Sequence, residues 1–294
     1  MVNLERLRIF HAVVQTGSFT RAAEAVHLTQ PGISKHIKAL EDEMGVVLFD
    51  RQPRRVSLTQ AGQILYEAAQ DVASSVATAE RHIQEMIGLR GGRLRVGASF
   101  PAGLYVLPRV LAAYRTKYPA IETTLAIAMT ASIVAKVLDN KLDFGLVSAD
   151  VHHPKLLSLA FMTDELVVIV PAEHKWAHRR SIKAQELMEE TFIVAARGAG
   201  ARAIVEERLQ AKGITLTNIL DFVNVEGVKH AVEAGLGISV QPRAVVQREV
   251  EAGSLVAIRL ADMDSEMQYV YICRKKQVPS SAQKAFVEML TNMV

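Results

Sequence analysis

Two stretches near the N-terminus carry residue types suited to reading a polyanion. Ser18-Phe19-Thr20-Arg21-Ala22-Ala23 is followed, after a short gap, by Leu28-Thr29-Gln30-Pro31-Gly32-Ile33-Ser34. Together they predict a short helix, a tight turn and a second helix. On the second helix Gln30, Ser34, Lys35 and Lys38 fall opposite Ile33, Ile37 and Leu40. A glutamine amide can bond adenine bidentately in the major groove, and a serine hydroxyl can reach base edges or phosphate. The helix N-terminus itself favours phosphate. Residues 29–40 hold two Lys and no acid, and residues 51–55 hold three Arg and no acid. Arg51 and Arg54 would add affinity that is independent of sequence by meeting the phosphate backbone. Ser18, Thr20, Thr29 and Pro31 complete the candidate DNA-contacting set.

A second group of candidates lies where strands end and helices begin, the usual seat of ligands in open α/β sheets. Ser99-Phe100-Pro101 follows the strand pattern Leu94–Ala98, and Thr130-Ala131-Ser132 follows one ending near Ala128. Gly198-Ala199-Gly200-Ala201-Arg202 follows Phe192–Ala195, and Asn224-Val225-Glu226 follows Ile219–Phe222. The first two belong to one lobe and the last two to another, so they could converge on a cleft, with Ser148 beside them. Hydroxyls, free backbone N–H groups and the Arg202 cation together favour a small anion such as a carboxylate or phosphate. Each turn alone also reads as an ordinary helix cap.

A competing chemistry is carried by Gly198-x-Gly200-x-x-Ala203, with Asp221 about twenty residues beyond Gly200. That pattern formally satisfies a dinucleotide fingerprint and makes an NAD(P)-dependent oxidoreductase the alternative reading. His152-His153 suggests metal at first sight, but adjacent side chains of an extended chain point apart, so a surface loop is expected and no metal site. There is no Gly-x-Ser-x-Gly elbow, no His-Glu-x-x-His and no Walker loop, and neither catalysis nor a cofactor is expected.

The elements that must position these residues change character along the chain. Of the 294 residues half are hydrophobic, which excludes global disorder. Apolar stretches reach only about seven residues, far short of the ~20 needed to span a bilayer, and no signal peptide is visible. The lone cysteine, Cys273, can form no internal disulfide. A cytoplasmic protein with no membrane partner is expected. The net charge is +3; residues 1–60 hold eight Lys and Arg against six Asp and Glu, and the remainder twenty-six against twenty-five. Nucleic-acid binding must therefore rest on where the charges lie.

Leu4, Leu7, Phe10, Val13 and Val14 repeat at helical spacing, and Gly17, Ser18, Thr29 and Gly45 mark helix ends. Val46–Phe49 and Val56–Leu58 flank the basic turn as a small wing. Thr59 then caps a helix over about 60–88 whose apolar residues Leu58, Ala61, Leu65, Ala68, Val72, Val76, Ala79, Ile83 and Met86 form nearly a heptad seam. A dimer seam is expected. Beyond Gly91-Gly92, strand patterns alternate with helices, predicting a mostly parallel α/β sheet in two lobes. Among those strands are separate segments at Leu156–Phe161 and Leu166–Val170.

Residues 4–65 resemble the N-terminal domain of the LysR-type transcriptional regulators. The matching residues include Leu4, Phe10, Val13, Gly17, Ser18, Phe19, Ala22, Ala23, Leu28, Gln30, Pro31, Ser34, Ile37, Leu40, Glu41, Gly45, Leu48, Phe49, Arg51, Leu58, Thr59 and Gly62. Leu142–Leu146 and Val232–Ile238 are similar to recurring segments of the same family. The resemblance implies an α+β multidomain chain: a winged helix-turn-helix (1–58), a dimerising linker helix (59–89) and a two-lobed α/β effector domain resembling type 2 periplasmic binding proteins (90–294). Lobe I would comprise 90–163 and 266–294, and lobe II 164–265. It further implies a homotetramer, a dimer of dimers, on interrupted palindromic double-stranded DNA, with RNA polymerase a further candidate partner. Gln30, Ser34, Lys35 and Lys38 become base or phosphate readers, and Arg51 and Arg54 wing contacts. Effector contacts fall at Ser99, Thr130 and the Gly198–Arg202 turn. There Ala199 and Ala201 stand where the family often has Ser or Thr.

Overall fold

The computed structural model describes residues 3–52, 55–86, 92–148, 151–196 and 200–293. The chain divides into two compact units, Met1–Ile87 and Gly88–Val294.

In the first unit, local caps set the helix ends. Helix α1 (Leu4–Thr16) starts where Asn3 accepts a hydrogen bond from Glu5 N and stops at Gly17, whose φ of 61° suits a residue without Cβ. Helix α2 (Phe19–Ala25) is capped by Ser18, which accepts from Arg21 N. The turn that follows puts His27 at φ 58°. Helix α3 (Gln30–Met44) is capped by Thr29, with Pro31 in its first turn, and ends at Gly45. Strands β1 (Phe49–Gln52) and β2 (Arg55–Leu58) pair antiparallel, Phe49 opposite Leu58. Phe10, Val13, Ile33, Ile37, Leu40, Leu48 and Phe49 are buried together, each such side chain stabilising the head by roughly 1.5–3 kcal/mol.

Helix α4 (Gln60–Met86) begins at Thr59, which accepts from Gly62 N and donates to Val47 O. A Cβ on Gly62 would collide with Leu48 O, so the helix lies against the wing through a glycine. The expected seam splits in two. Leu58, Ala61 and Leu65 of the seam pack into the head's own core together with Ala69, which lay outside the expected seam, whereas Ala68, Val72, Val76 and Ile83 are exposed. The heptad spacing persists, but the first turns of α4 find their partners on the head, including Tyr66 stacked on His11.

The second unit is built on an eight-stranded sheet in the order β4 (Glu122–Ile127), β3 (Arg93–Ala98), β5 (Phe144–Val147), β12 (Glu266–Arg274), β6 (Leu156–Pro171), β11 (Leu255–Leu260), β7 (Ser181–Ile182), with β10 (Ser239–Pro242) also on β6, and on a separate two-stranded sheet of β8 (Phe192–Ala195) and β9 (Ile219–Phe222). Strands β3 (Arg93–Ala98), β4 (Glu122–Ile127) and β5 (Phe144–Val147) are parallel neighbours, with α5 (Leu107–Lys117) and α6 (Thr130–Leu138) between them in sequence. Strand β6 (Leu156–Pro171) is a single strand of 16 residues where two were expected. Thr163-Asp164-Glu165, the polar stretch between the two expected segments, is a crossing point within that strand. Asp164 accepts from Ala244 N, and Glu165 pairs with Arg243 and Arg259.

Past that point β6 enters a second lobe. There β7 (Ser181–Ile182), β8 (Phe192–Ala195), α7 (Gly200–Ala211), β9 (Ile219–Phe222), α8 (Val225–Glu233), β10 (Ser239–Pro242), α9 (Arg243–Ala252) and β11 (Leu255–Leu260) follow. Strand β12 (Glu266–Arg274) returns along β6 to the first lobe, and α10 (Ser281–Met293) packs there against α5. The sheet is therefore mixed, not mostly parallel. β12 runs antiparallel to β5 and β6, and β10 and β11 run antiparallel to β6, because the chain crosses between lobes on strands that double back. Only β3–β4, β3–β5, β7–β11 and β8–β9 are parallel pairs among the described strands. The register shifts by one residue opposite Tyr269 and Val270 of β12, where Phe161 is the extra residue on β6, close to the crossing.

Candidate functional site

Helix α3 displays the predicted readers outward. Ile33, Ile37 and Leu40 are buried, while Thr29, Gln30, Pro31, Lys35 and Lys38 are exposed and Ser34 is half-buried. Gln30 Nε2 donates to Ser34 Oγ at 3.2 Å, so the two polar readers sit one turn apart on one face. Thr20 is exposed on α2, and Ser18 is half-buried and occupied as its cap. The acids at the far end are used in holding the head: Glu41 accepts from Leu48 N, and Glu43 pairs with Arg6. The backbone of Arg51 lies in β1, and Arg54 lies outside the described residues. Over residues 29–40 the helix thus offers cations and amide or hydroxyl groups with no acid among them, as recognition of a phosphate-lined groove requires.

In the second unit a cavity of about 390 Å³ opens where the carboxyl ends of β3 and β4 approach the second lobe. Phe100, Pro101 and Met129 line it from the first lobe, and Arg202 and Asn224 are among its lining from the second. Of the predicted effector residues, Phe100, Arg202 and Asn224 come together here. Ser99 and Ser148 do not line it; both are buried, and Ser99 Oγ accepts from Ser148 N at 3.2 Å. Asn224 caps α8 by accepting from Gly227 N. Thr130 Oγ1, on the first turn of α6, is shielded from solvent and has no hydrogen-bond partner among the described residues. Ala131 is exposed and Ser132 half-buried on that turn, and Gly200 is buried at the start of α7.

The structure corrects Arg202 as a free cation for an anionic ligand. Its side chain is only 6% exposed and donates to Ala195 O and Asp221 at Nη1 and to Glu206 at Nε. Burial alone would lower its pKa; the bonds to Glu206 and Asp221 outweigh that and raise it. Two carboxylates already neutralise the guanidinium. Asp221 arrives there because β8 and β9 pair in parallel with Val194 opposite Asp221.

Asp221, the acid of the oxidoreductase alternative, is engaged through Oδ1 by Arg202. Gly198 of that fingerprint lies outside the described residues. His153 Nδ1 accepts from Lys155 N in the turn before β6.

A cluster that sequence reasoning missed joins the lobes beside the cavity. Tyr105, on a short π-helical turn (Ala102–Val106) ahead of α5, donates its hydroxyl to Glu226 on α8. Burial and the Glu226 carboxylate both push the phenol well above its ordinary range, so it remains the donor. Lys229, 4% exposed at its side chain, pairs with Glu249 at 2.7 Å and Glu226 at 3.1 Å and lies 5.0 Å from the Tyr105 ring centre. Burial alone would raise the Glu226 pKa; the bonds from Tyr105 and Lys229 win and hold it below the ordinary value. The i, i+3 spacing of Glu226 and Lys229 was visible in the sequence, but Tyr105 lies 121 residues away.

Known proteins identify both units. The family described as "Bacterial regulatory helix-turn-helix protein, lysR family" matches residues 4–63, and "LysR substrate binding domain" matches residues 88–294. The RuBisCO operon transcriptional regulator of Allochromatium vinosum is 32% identical over 289 residues, covering 98% of this chain and 95% of that protein. The HTH-type transcriptional regulator CbbR of Sinorhizobium medicae is 33% identical over 290 residues, covering 98% and 92%. In fold, a full-length OxyR variant from Pseudomonas aeruginosa superposes with a TM-score of 0.74 at 24% identity, over 99% of this chain and 94% of that one. These matches lend no support to the oxidoreductase reading. An outward-facing polar helix on a winged head and a two-lobed domain with a cleft are thus the two halves of one family's plan, and the chain belongs to the LysR-type DNA-binding transcriptional regulators.

Proposed function

We propose that this regulator reads an interrupted palindromic operator through Gln30, Ser34, Lys35 and Lys38, with Ser18, Thr20, Thr29, Pro31 and the Arg51 and Arg54 wing on the backbone. A small effector bound in the interlobe cavity controls that binding. The observation carrying the effector half is the hydroxyl of Thr130, without a partner among the described residues, next in sequence to cavity-lining Met129 and at the N-terminus of α6, which has no side-chain cap from Met129. A buried hydroxyl without a partner is costly, and a ligand oxygen would satisfy it. The first-turn N–H groups beside it favour a negative end. A single carboxylate suits this position better than a phosphate, because Arg202 is already neutralised by Glu206 and Asp221.

The exposed stripe Val72, Val76 and Ile83 on α4 supports assembly as a dimer through that helix. Two heads related by a twofold axis would demand a palindromic site. The effector acts by binding two interlobe arrangements unequally, which is the only way it can shift an equilibrium between them. The Tyr105–Glu226 bond is a contact between lobes that such a shift would make or break.

The test is a footprint of the full chain on its operator, with and without a cell extract fraction that changes the footprint. Thr130→Ala should reduce that response at least about tenfold in effector concentration, corresponding to one lost buried hydrogen bond. An unchanged response would place the effector elsewhere.

A further inference from the structure

Tyr105 is the point at which the first lobe reaches into the second. Its ring packs against the buried cluster that includes Val167, Ile193, Val228 and Val246, and the other described members of that cluster all belong to the second lobe. Its hydroxyl donates to Glu226 on α8, and the Lys229 ammonium lies over its ring. Lys229 is held in turn by Glu249 on α9, and α9 also packs against the turn that carries Tyr105. One first-lobe side chain thus engages two second-lobe helices by packing, a cation–π contact and a hydrogen bond to a carboxylate.

Both ends of this contact are joined by backbone to the cavity walls. Phe100 and Pro101 line the cavity and lead directly into the π-helical turn Ala102–Val106. Asn224 and Val225 line it from the other lobe, and Glu226 is the next residue. The turn is fixed to its own lobe. Gly103 N donates to Ser99 O at 2.7 Å, and a Cβ on Gly103 would meet Ile127 and Ala98. Leu107 N donates to Ala102 O, one residue wider than an α-helix closes. Such turns are rare overall and concentrated at functional sites.

We infer that Tyr105 is an interlobe latch: its bond to Glu226 holds the lobe arrangement seen here, and a cavity ligand that displaces the Phe100–Pro101 wall from the Asn224–Val225 wall opens it. This rests on the effector-cleft reading given above. It adds the residue through which occupancy of the cavity reaches the lobe interface. Lys229 is a positioning residue, keeping the Glu226 carboxylate beside the phenol through its own bond to it. A hydrogen bond to a charged group shifts an equilibrium by roughly 10- to 150-fold. Glu226 is 47% exposed at its side chain, so the lower end applies.

Hydrogen exchange of the full chain, followed by mass spectrometry in Tyr105→Phe and Glu226→Ala, tests it. Tyr105→Phe keeps the ring over Lys229 and removes only the hydroxyl. In each variant the peptides spanning 99–107 and 224–233 should exchange about tenfold faster, and those of α10 should be unchanged. The double variant should add less than about twofold to either single, because both cut the same bond. On an operator fragment with no small molecule added, the footprint of each variant should differ from that of the parent.

Unchanged exchange of both segments in Tyr105→Phe overturns the latch, as does a double variant whose effect is the product of its singles. Faster exchange with a footprint identical to the parent's also overturns it, since the bond would then tie the lobes without governing DNA. An altered footprint in the latch variants, in a protein whose response survives Thr130→Ala, upholds the latch and contradicts Thr130 as the effector contact.

Discussion

Replacing Lys229 by Met removes one charge from the cluster that ties α8, α9 and the Tyr105 turn together. The lysine side chain is 4% exposed, and its ammonium bonds Glu249 at 2.7 Å and Glu226 at 3.1 Å. Glu249 is itself 20% exposed at its side chain, and its Oε2 is buried without a hydrogen-bond partner among the described residues. Methionine fills much the same volume, so packing changes little. What changes is that Glu249 keeps a buried carboxylate with its counter-ion gone. Breaking a buried pair in this way costs about 3–5 kcal/mol, because the remaining charge is uncompensated.

For a folding unit of roughly 200 residues each kcal/mol corresponds to about 2–4 °C. Thermal denaturation of the full chain should therefore show a melting temperature lower by roughly 6–20 °C. The double variant Lys229→Met, Glu249→Leu should recover most of that loss, since replacing both partners by apolar groups is often neutral. A single-variant loss below ~1 kcal/mol would match an exposed pair and refute the burial argument. A double variant as unstable as the sum of its singles would refute the coupling.

Gln30→Ala should reduce discrimination between operator and random DNA by about 5- to 150-fold, the worth of one bidentate base contact; competition gel shifts read this, and an unchanged ratio removes Gln30 from the readers. Val76→Asp with Ile83→Asp, both on exposed positions of α4, should shift the mass by light scattering toward the monomer, and an unchanged mass would show that α4 does not assemble the protein. Gly62→Ala should destabilise the head by at least ~2 kcal/mol, because the new Cβ meets the backbone of Leu48; a melt indistinguishable from the parent would contradict the close approach of α4 and the wing.

The caps were readable because they are local. As caps, Gly17, Ser18, Thr29, Gly45 and Thr59 each bond a backbone group at most four residues away, although Thr59 also reaches Val47 O twelve residues back. The outward set Gln30, Lys35 and Lys38 was readable because helical period alone separates it from Ile33 and Ile37. Periodicity could not separate Leu65 from Val76, since both continue one stripe; only the neighbouring helix α1 and the wing decide that Leu65 is core. The continuity of β6 through Asp164 and Glu165 was not readable, because their partners, Arg243, Arg259 and the Ala244 amide, lie about eighty residues or more downstream.

Arg202 illustrates the same limit at the candidate site. A cation at the start of a helix after a strand fits anion binding, and nothing nearby in sequence contradicts it except Glu206. Asp221 completes the neutralisation, and it arrives only through the register of β8 on β9. Tyr105 was hidden for a further reason: it sits in a π-helical turn within what reads as one continuous helix, and its partners are on the other lobe.

Selection of particular DNA sequences by the polar face of α3 underlies the proposed function. Selection of genomic fragments by the purified full chain, sequenced beside those taken by Gln30→Ala, tests it most directly. The expected result is a small set of fragments sharing an interrupted palindrome, with that enrichment collapsing in the variant. Fragments from the parent protein that match the input library in sequence would contradict it.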